Sequence, residues 1–129
     1  MKLKKLFMLI IVAALSLSFA QAAELQVVDG AITSAIERQV PVDRIESYRA
    51  GFDKLYCFTR IVGAQEDTEV THVWYFQDDE LARVTLPVLS ADWRTYSSKR
   101  FLPQWVGKWR VVVLDGEENQ IAEIPFRLE

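Results

Sequence analysis

Beyond Ala22 the chain alternates apolar and polar residues with a period of two, the spacing of strands that bury one face. The alternation is clearest in Gln120 to Leu128, where Ala122, Ile124, Phe126 and Leu128 are expected to face a core while Glu123 and Arg127 face out. Pro125 falls among the outward residues and marks an edge strand, because proline cannot donate to a ladder. Runs rich in Val, Ile, Thr, Tyr, Phe and Trp also occupy Asp43 to Tyr48, Lys54 to Val62, Glu69 to Gln77, Glu80 to Leu89, Asp92 to Lys99 and Gly107 to Leu114. Ala31 to Arg38 has a helix-compatible composition, but Pro41 and the β-branched Val27, Val28 and Ile32 favour extended chain, so a strand is expected there too. Asp78-Asp79 is short enough to close a tight hairpin, and Asp115-Gly116 opens another in which Gly116 supplies a positive φ.

Two central runs are apolar on both sides: Val70, His72, Trp74 and Phe76 share one face, and Val73 and Tyr75 contribute to the other. Burial of both faces is expected where a second sheet or a long loop covers the outer one. The pattern therefore predicts an all-β fold, two packed antiparallel sheets of seven or eight strands with an immunoglobulin-like architecture. A closed barrel is the alternative.

The first residues follow a different rule. Lys2, Lys4 and Lys5 precede an apolar stretch from Leu6 to Ala20, and Ala20-Gln21-Ala22 is a small-x-small cleavage site. Fifteen apolar-dominated residues are too few to span a bilayer, which needs roughly 20. A signal peptide helix over residues 1–22, removed on export, is expected, followed by one domain over residues 23–129 in the periplasm or outside the cell, with no stable membrane span left.

Charge and cysteine narrow the picture further. Loss of the three signal lysines takes the 15 basic residues to 12 while all 18 acids stay, a net charge of about −6. That balance argues against nucleic acid as the partner, since phosphate binding depends on cations that release counterions. Cys57 is the only cysteine, so the domain is held without an intrachain disulfide. Its setting, Leu55-Tyr56-Cys57-Phe58, reads as that of a small buried hydrophobe rather than a reactive thiol.

Three islands resemble a bacterial family, domain of unknown function 2914. The first is Cys57-Phe58-Thr59-Arg60-Ile61-Val62-Gly63 leading to Val70-Thr71-His72-Val73-Trp74-Tyr75. The second is Trp93-Arg94-Thr95-Tyr96-Ser97-Ser98-Lys99, and the third is Gly107-Lys108-Trp109-Arg110-Val111-Val112-Val113 with Phe126 closing the chain. The likeness covers nearly the whole mature chain, and its second island is specific. It implies a small exported or membrane-tethered β domain and no known activity. Asp78-Asp79 departs from the Asn-Gly type of turn expected at that place.

Candidate chemistry gathers in one window. From Trp93 to Leu114 there are five cations, Arg94, Lys99, Arg100, Lys108 and Arg110, and no anion. The same window holds Trp93, Trp105 and Trp109 with Tyr96 and Phe101. Basic and aromatic groups together suit an anionic ligand with flat faces, because Arg forks to a carboxylate or phosphate while a ring stacks on the ligand. Trp93, Tyr96, Arg94, Ser97, Ser98, Lys99 and Arg100 are the candidate ligand-binding residues, for an anionic glycan or an acidic segment of an envelope protein. The bland counterpart is that the three Trp are core anchors and the cations merely line the outer side of strands. His72, the only histidine, joins the candidates, although a satisfied core histidine is the stronger reading.

Other chemistries find little footing. The residue three before Lys99 is Tyr96, so no Ser-x-x-Lys nucleophile is present. One His and one Cys do not suffice for zinc, and Asp115-Gly116-Glu117-Glu118-Asn119 lacks the ligand spacing of a calcium loop. No glycine-rich phosphate loop occurs, and no cofactor is expected. Three classes of function follow: a binding or adaptor module, a small hydrolase using Asp92, His72 or Ser97, and a purely structural subunit.

Overall fold

The computed structural model describes residues 24–129. The expected signal peptide helix and its cleavage after Ala22 lie outside the described residues. Within them the fold is all-β, and no helix is long and apolar enough to cross a membrane. Seven long strands carry the architecture: β1 (Gln26–Thr33), β5 (Lys54–Val62), β6 (Thr68–Phe76), β7 (Asp79–Val88), β8 (Asp92–Arg100), β9 (Gly107–Leu114) and β10 (Gln120–Leu128). Three two-residue strands, β2 (Ile36–Glu37), β3 (Val40–Pro41) and β4 (Ser47–Tyr48), fill the connection between β1 and β5.

One sheet has the order β1-β5-β8 and the other β4-β10-β9-β6-β7, with β2-β3 as a separate ribbon. Taken in chain order, the first, second and fifth long strands make one sheet and the remaining four the other. This is the two-sheet partition of an immunoglobulin-like sandwich, and the buried Trp74 on the third long strand matches it. All long-strand pairs are antiparallel; only the short β4 runs parallel to β10.

Several local expectations need correction. The stretch from Ala31 to Arg38 is extended to Thr33 and again over Ile36–Glu37, but it breaks at Ser34 between the two, where Asp43 draws the chain aside. Its Oδ1 accepts from Thr33 Oγ1 at 2.7 Å and from the Ser34 N–H at 2.8 Å. The following turn puts Arg38 and Gln39 at φ of 52° and 63°, the conformation that a two-residue hairpin demands. For the same reason Asp43 to Tyr48 is not one strand; only Ser47–Tyr48 pairs. The hairpin between β6 and β7 turns on Gln77 and Asp78, one residue earlier than expected, with Gln77 at φ 53°. In the last hairpin the positive φ belongs to Glu118, at 64°, and not to Gly116. Asp115 holds that turn by accepting from the N–H groups of Glu117 and Asn119, each at 2.9 Å.

The core lies between the sheets in two apolar clusters. One is aromatic, built on Trp74, Phe101, Trp109 and Phe126 with Leu55, Cys57 and Leu128. Phe101 and Trp109 meet edge to face with centroids 4.8 Å apart, and Trp109 Nε1 donates to the Trp105 carbonyl at 2.9 Å. The other cluster is aliphatic, from Leu25, Ile61, Val70, Val88 and Val113. Val73, on the outer side of β6, is fully buried without a second layer above it. Its register partners are Arg83 and Val112, and the neighbouring Arg110 lies over the Tyr75 ring at 4.3 Å, so long side chains of the same sheet cover it.

Candidate functional site

Strand β8 divides the candidate residues by parity. Trp93, Thr95, Ser97 and Lys99 turn toward the other sheet, whereas Asp92, Arg94, Tyr96, Ser98 and Arg100 turn to the outer face. Trp93 packs against the aliphatic cluster, and Trp109 is buried in the aromatic one. Lys99 lies at the rim of the sandwich, its Nζ 4.8 Å from the centre of the Trp105 ring, and partial burial lowers its pKa. Lys108 and Arg110 belong to β9 in the opposite sheet. The five cations from Trp93 to Leu114 therefore do not form one patch: β8 and β9 lie on different sheets, and Arg94 and Lys99 fall on different sides of one strand.

What β8 does bring together is a smaller group completed by β5. The register places Lys54 opposite Arg100 and Arg60 opposite Arg94, two like-charged pairs separated by Tyr56, Tyr96 and Phe58. Tyr56 and Tyr96 meet edge to face at 5.9 Å, and Lys54 sits 5.2 Å from the Tyr56 ring centre. Tyr96 remains 48% exposed. Phe58, although it points outward, is 2% exposed, and Gln39 of the β2-β3 turn lines a cavity beside it. Arg60 is engaged: its Nε and Nη2 donate to the Asp92 carboxylate at 2.9 and 2.6 Å, a hydrogen bond that lowers the Asp92 pKa. Arg100 donates to the Phe52 carbonyl at 3.1 Å. Among the described residues neither Arg94, Arg100 nor Lys54 forms an ion pair.

Lys54, Tyr56 and Arg60 were not among the candidates read from the sequence. Their signal was there in the even spacing Lys54-x-Tyr56-x-Phe58-x-Arg60, which puts all four on one face of a strand.

Ser97 and His72 meet in the interior. His72 Nδ1 is 2.7 Å from Ser97 Oγ, His72 Nε2 is 3.0 Å from Thr59 Oγ1, and Trp74 Nε1 donates to Ser97 Oγ at 3.1 Å. The indole donates to the Ser97 oxygen, and either neutral tautomer of the imidazole completes the set: Nδ1 accepts from the Ser97 hydroxyl while Nε2–H donates to Thr59, or Nδ1–H donates to Ser97 while Nε2 accepts from the Thr59 hydroxyl. Burial favours the neutral imidazole and pushes the His72 pKa down to about 4. The network separates the two apolar clusters, since His72 stands between Val70 and Trp74 on β6 and Thr59 between Cys57 and Ile61 on β5. With His72 at 0% and Ser97 at 3% exposure, no substrate reaches the pair. Ser98 is exposed, and Cys57 is buried with its thiol pKa raised by burial. Among the described residues no three or more His, Cys, Asp and Glu side chains are placed to hold a metal ion.

A larger groove of about 960 Å³ runs beside β10. Its lining carries three acids, Glu46, Asp78 and Glu123, against four cations, and Arg110 pairs with Glu123 at 3.4 Å, so its charge is nearly balanced. The outer face of β5 and β8 is the more strongly polarised surface.

Comparison with known families bears on this segment. The model of a family described as protein of unknown function (DUF2914) matches residues 67–128, which span β6 to β10. The likeness to that family is thus supported over residues 67–128, while the Cys57 to Gly63 part of the first island lies before the match. No curated protein matches the chain.

Proposed function

We propose that this chain, with its DUF2914 segment as the premise, is a non-enzymatic binding or adaptor module of the bacterial envelope, recognising an anionic glycan or acidic protein segment on the outer face of β5 and β8. The observation that carries the reading is the pair of like-charged register partners, Lys54 with Arg100 and Arg60 with Arg94. Like charges directly opposite in a sheet oppose folding, and Asp92 relieves only one of the two pairs. An anion laid across the face offsets that repulsion, and Tyr56 and Tyr96 between the pairs offer flat surfaces to stack on. Export to the envelope is supported by the run from Lys2 to Ala22. The hydrolase alternative needs a solvent path to Ser97 and His72, which both lie buried.

The reading is tested by titrating the purified protein with oligogalacturonate and with acidic peptides at low and high salt. Arg94→Ala/Arg100→Ala should weaken binding at least tenfold, whereas Lys108→Ala/Arg127→Ala, on the opposite sheet, should leave it within twofold. Equal loss in both double variants, or no binding by wild type at low salt, would refute the assignment of this face.

A further inference from the structure

The exposed edges of the two sheets are not equivalent. On β1 the register slips at Val28; β7 carries Pro87 and a register shift opposite Trp74 and Tyr75; β10 carries Pro125 and is capped at its end by β4. Such bulges and prolines blunt an edge against pairing. Strand β8 has neither, and its nine residues pair with β5 without a shift.

The register also decides which backbone groups of β8 are free. Phe101 N–H donates to the Asp53 carbonyl at 3.1 Å, and Gly63 N–H to the Ala91 carbonyl at 3.0 Å. Both lie on the β5-β8 register extended at its two ends, so the odd-numbered residues of β8 exchange bonds with β5. Even-numbered residues then turn their N–H and C=O away from β5. Asp92 already gives its carbonyl to the Ser90 hydroxyl at 2.8 Å. Arg94, Tyr96, Ser98 and Arg100 have no backbone partner on that side among the described residues. Their side chains are the ones that project onto the cationic outer face.

We propose that the ligand of this face is an extended acidic polypeptide segment that adds to the edge of β8 as a fourth strand, antiparallel to it. The inference rests on the anionic-ligand reading and names the ligand. Free backbone pairs recur every second residue, about 6.8 Å, which is the repeat of another strand. In an antiparallel partner, successive alternate residues face Arg100, Ser98, Tyr96 and Arg94. The segment therefore carries Asp or Glu at two positions six residues apart, a small residue next to Ser98 and an aromatic or β-branched one next to Tyr96. A cavity of about 350 Å³ between Pro87 and Trp93–Tyr96 leaves room beside the edge. A second copy of the chain is a poor occupant, since β8 paired with itself about Ser97 would set Arg94 opposite Arg100, and paired about Tyr96 it would need Asp92, whose carboxylate is held by Arg60 and whose carbonyl is held by Ser90.

Two nine-residue peptides of one composition test this, with their acids six or five residues apart, titrated into the purified protein and followed by amide resonances and hydrogen exchange. The six-apart peptide should bind at least tenfold tighter and slow exchange at Arg94, Tyr96 and Ser98 at least tenfold. N-methylation of its alternate amides should abolish binding. Equal affinity for both spacings, or binding that survives N-methylation, overturns strand addition while the anionic face stands. Binding of oligogalacturonate alone makes the ligand a glycan and also overturns the inference. Wild type binding none of these probes at low salt brings down the reading beneath it.

Discussion

His72 Nδ1 lies 2.7 Å from Ser97 Oγ in a sealed interior, and this one contact joins β6 of the five-stranded sheet to β8 of the three-stranded sheet. Ser97 is the hinge of the network, because its hydroxyl is the partner of both the imidazole and the Trp74 indole. Ser97→Ala leaves two buried polar groups unpaired and should lower the unfolding free energy by roughly 2 to 6 kcal/mol, at about 1–3 kcal/mol per orphaned group. Urea unfolding measures it, and Ser98→Ala on the solvent side of the same strand should stay near zero.

Acid should destabilise the fold before the carboxylates titrate. The imidazole of His72 has a folded pKa of about 4 against an ordinary 6.5, so between these values the unfolded chain holds the extra proton. Stability is full above pH 6.5 and falls as pH drops toward 4, by roughly 3 kcal/mol over the whole window at 1.36 kcal/mol per unit. Asp29, Asp43, Asp92 and Asp115, held below 3.8, add their losses at lower pH. Urea midpoints from pH 7.5 to 4.5 give the slope. The slope should vanish in His72→Gln; its persistence there would assign it to other groups.

Gly63 tolerates no side chain. It sits at φ 97°, and a Cβ would lie 2.8 Å from the Glu24 carbonyl oxygen, a backbone atom that cannot swing aside. Gly63→Ala should cost about 1 to 3 kcal/mol from the conformation alone. At Gly51 a Cβ meets nothing within 4 Å, so Gly51→Ala is the matched control and should be neutral or slightly stabilising in thermal unfolding.

Relief of charge repulsion should be visible without any ligand. Arg94→Thr removes one member of the Arg60/Arg94 pair and places a strand-favouring residue there. The variant should melt at a higher temperature than wild type in low salt, and the gap should close in 1 M salt, where screening acts over about 3 Å. An unchanged melting point at low salt would show that Asp92 already neutralises the pair.

The strands were legible because their alternation is local. Lys54–Val62, Gly107–Leu114 and Gln120–Leu128 have the boundaries read from the sequence, and β6, β7 and β8 differ by one residue at one or both ends. Turns were less legible: Arg38, Gln39, Gln77 and Glu118 take positive φ without being glycine, so composition gave no sign of them. The meeting of His72 with Ser97 was hidden because the two stand 25 residues apart in different sheets, and only the packing of the sandwich sets them face to face. The cationic window misled for the opposite reason. It is continuous in sequence, but Arg94 and Lys99 are an odd number of residues apart on one strand, and that spacing alone places them on opposite sides.

Strand β8 meets solvent through Arg94, Tyr96 and Arg100 and meets the interior through Ser97. Any tug applied by an attached partner along this strand is carried inward by the Ser97 hydroxyl to His72, and so into the far sheet. Grease alone between two layers permits sliding, whereas a directed bond between them resists shear. The sandwich is pinned at the same strand by which it would be gripped.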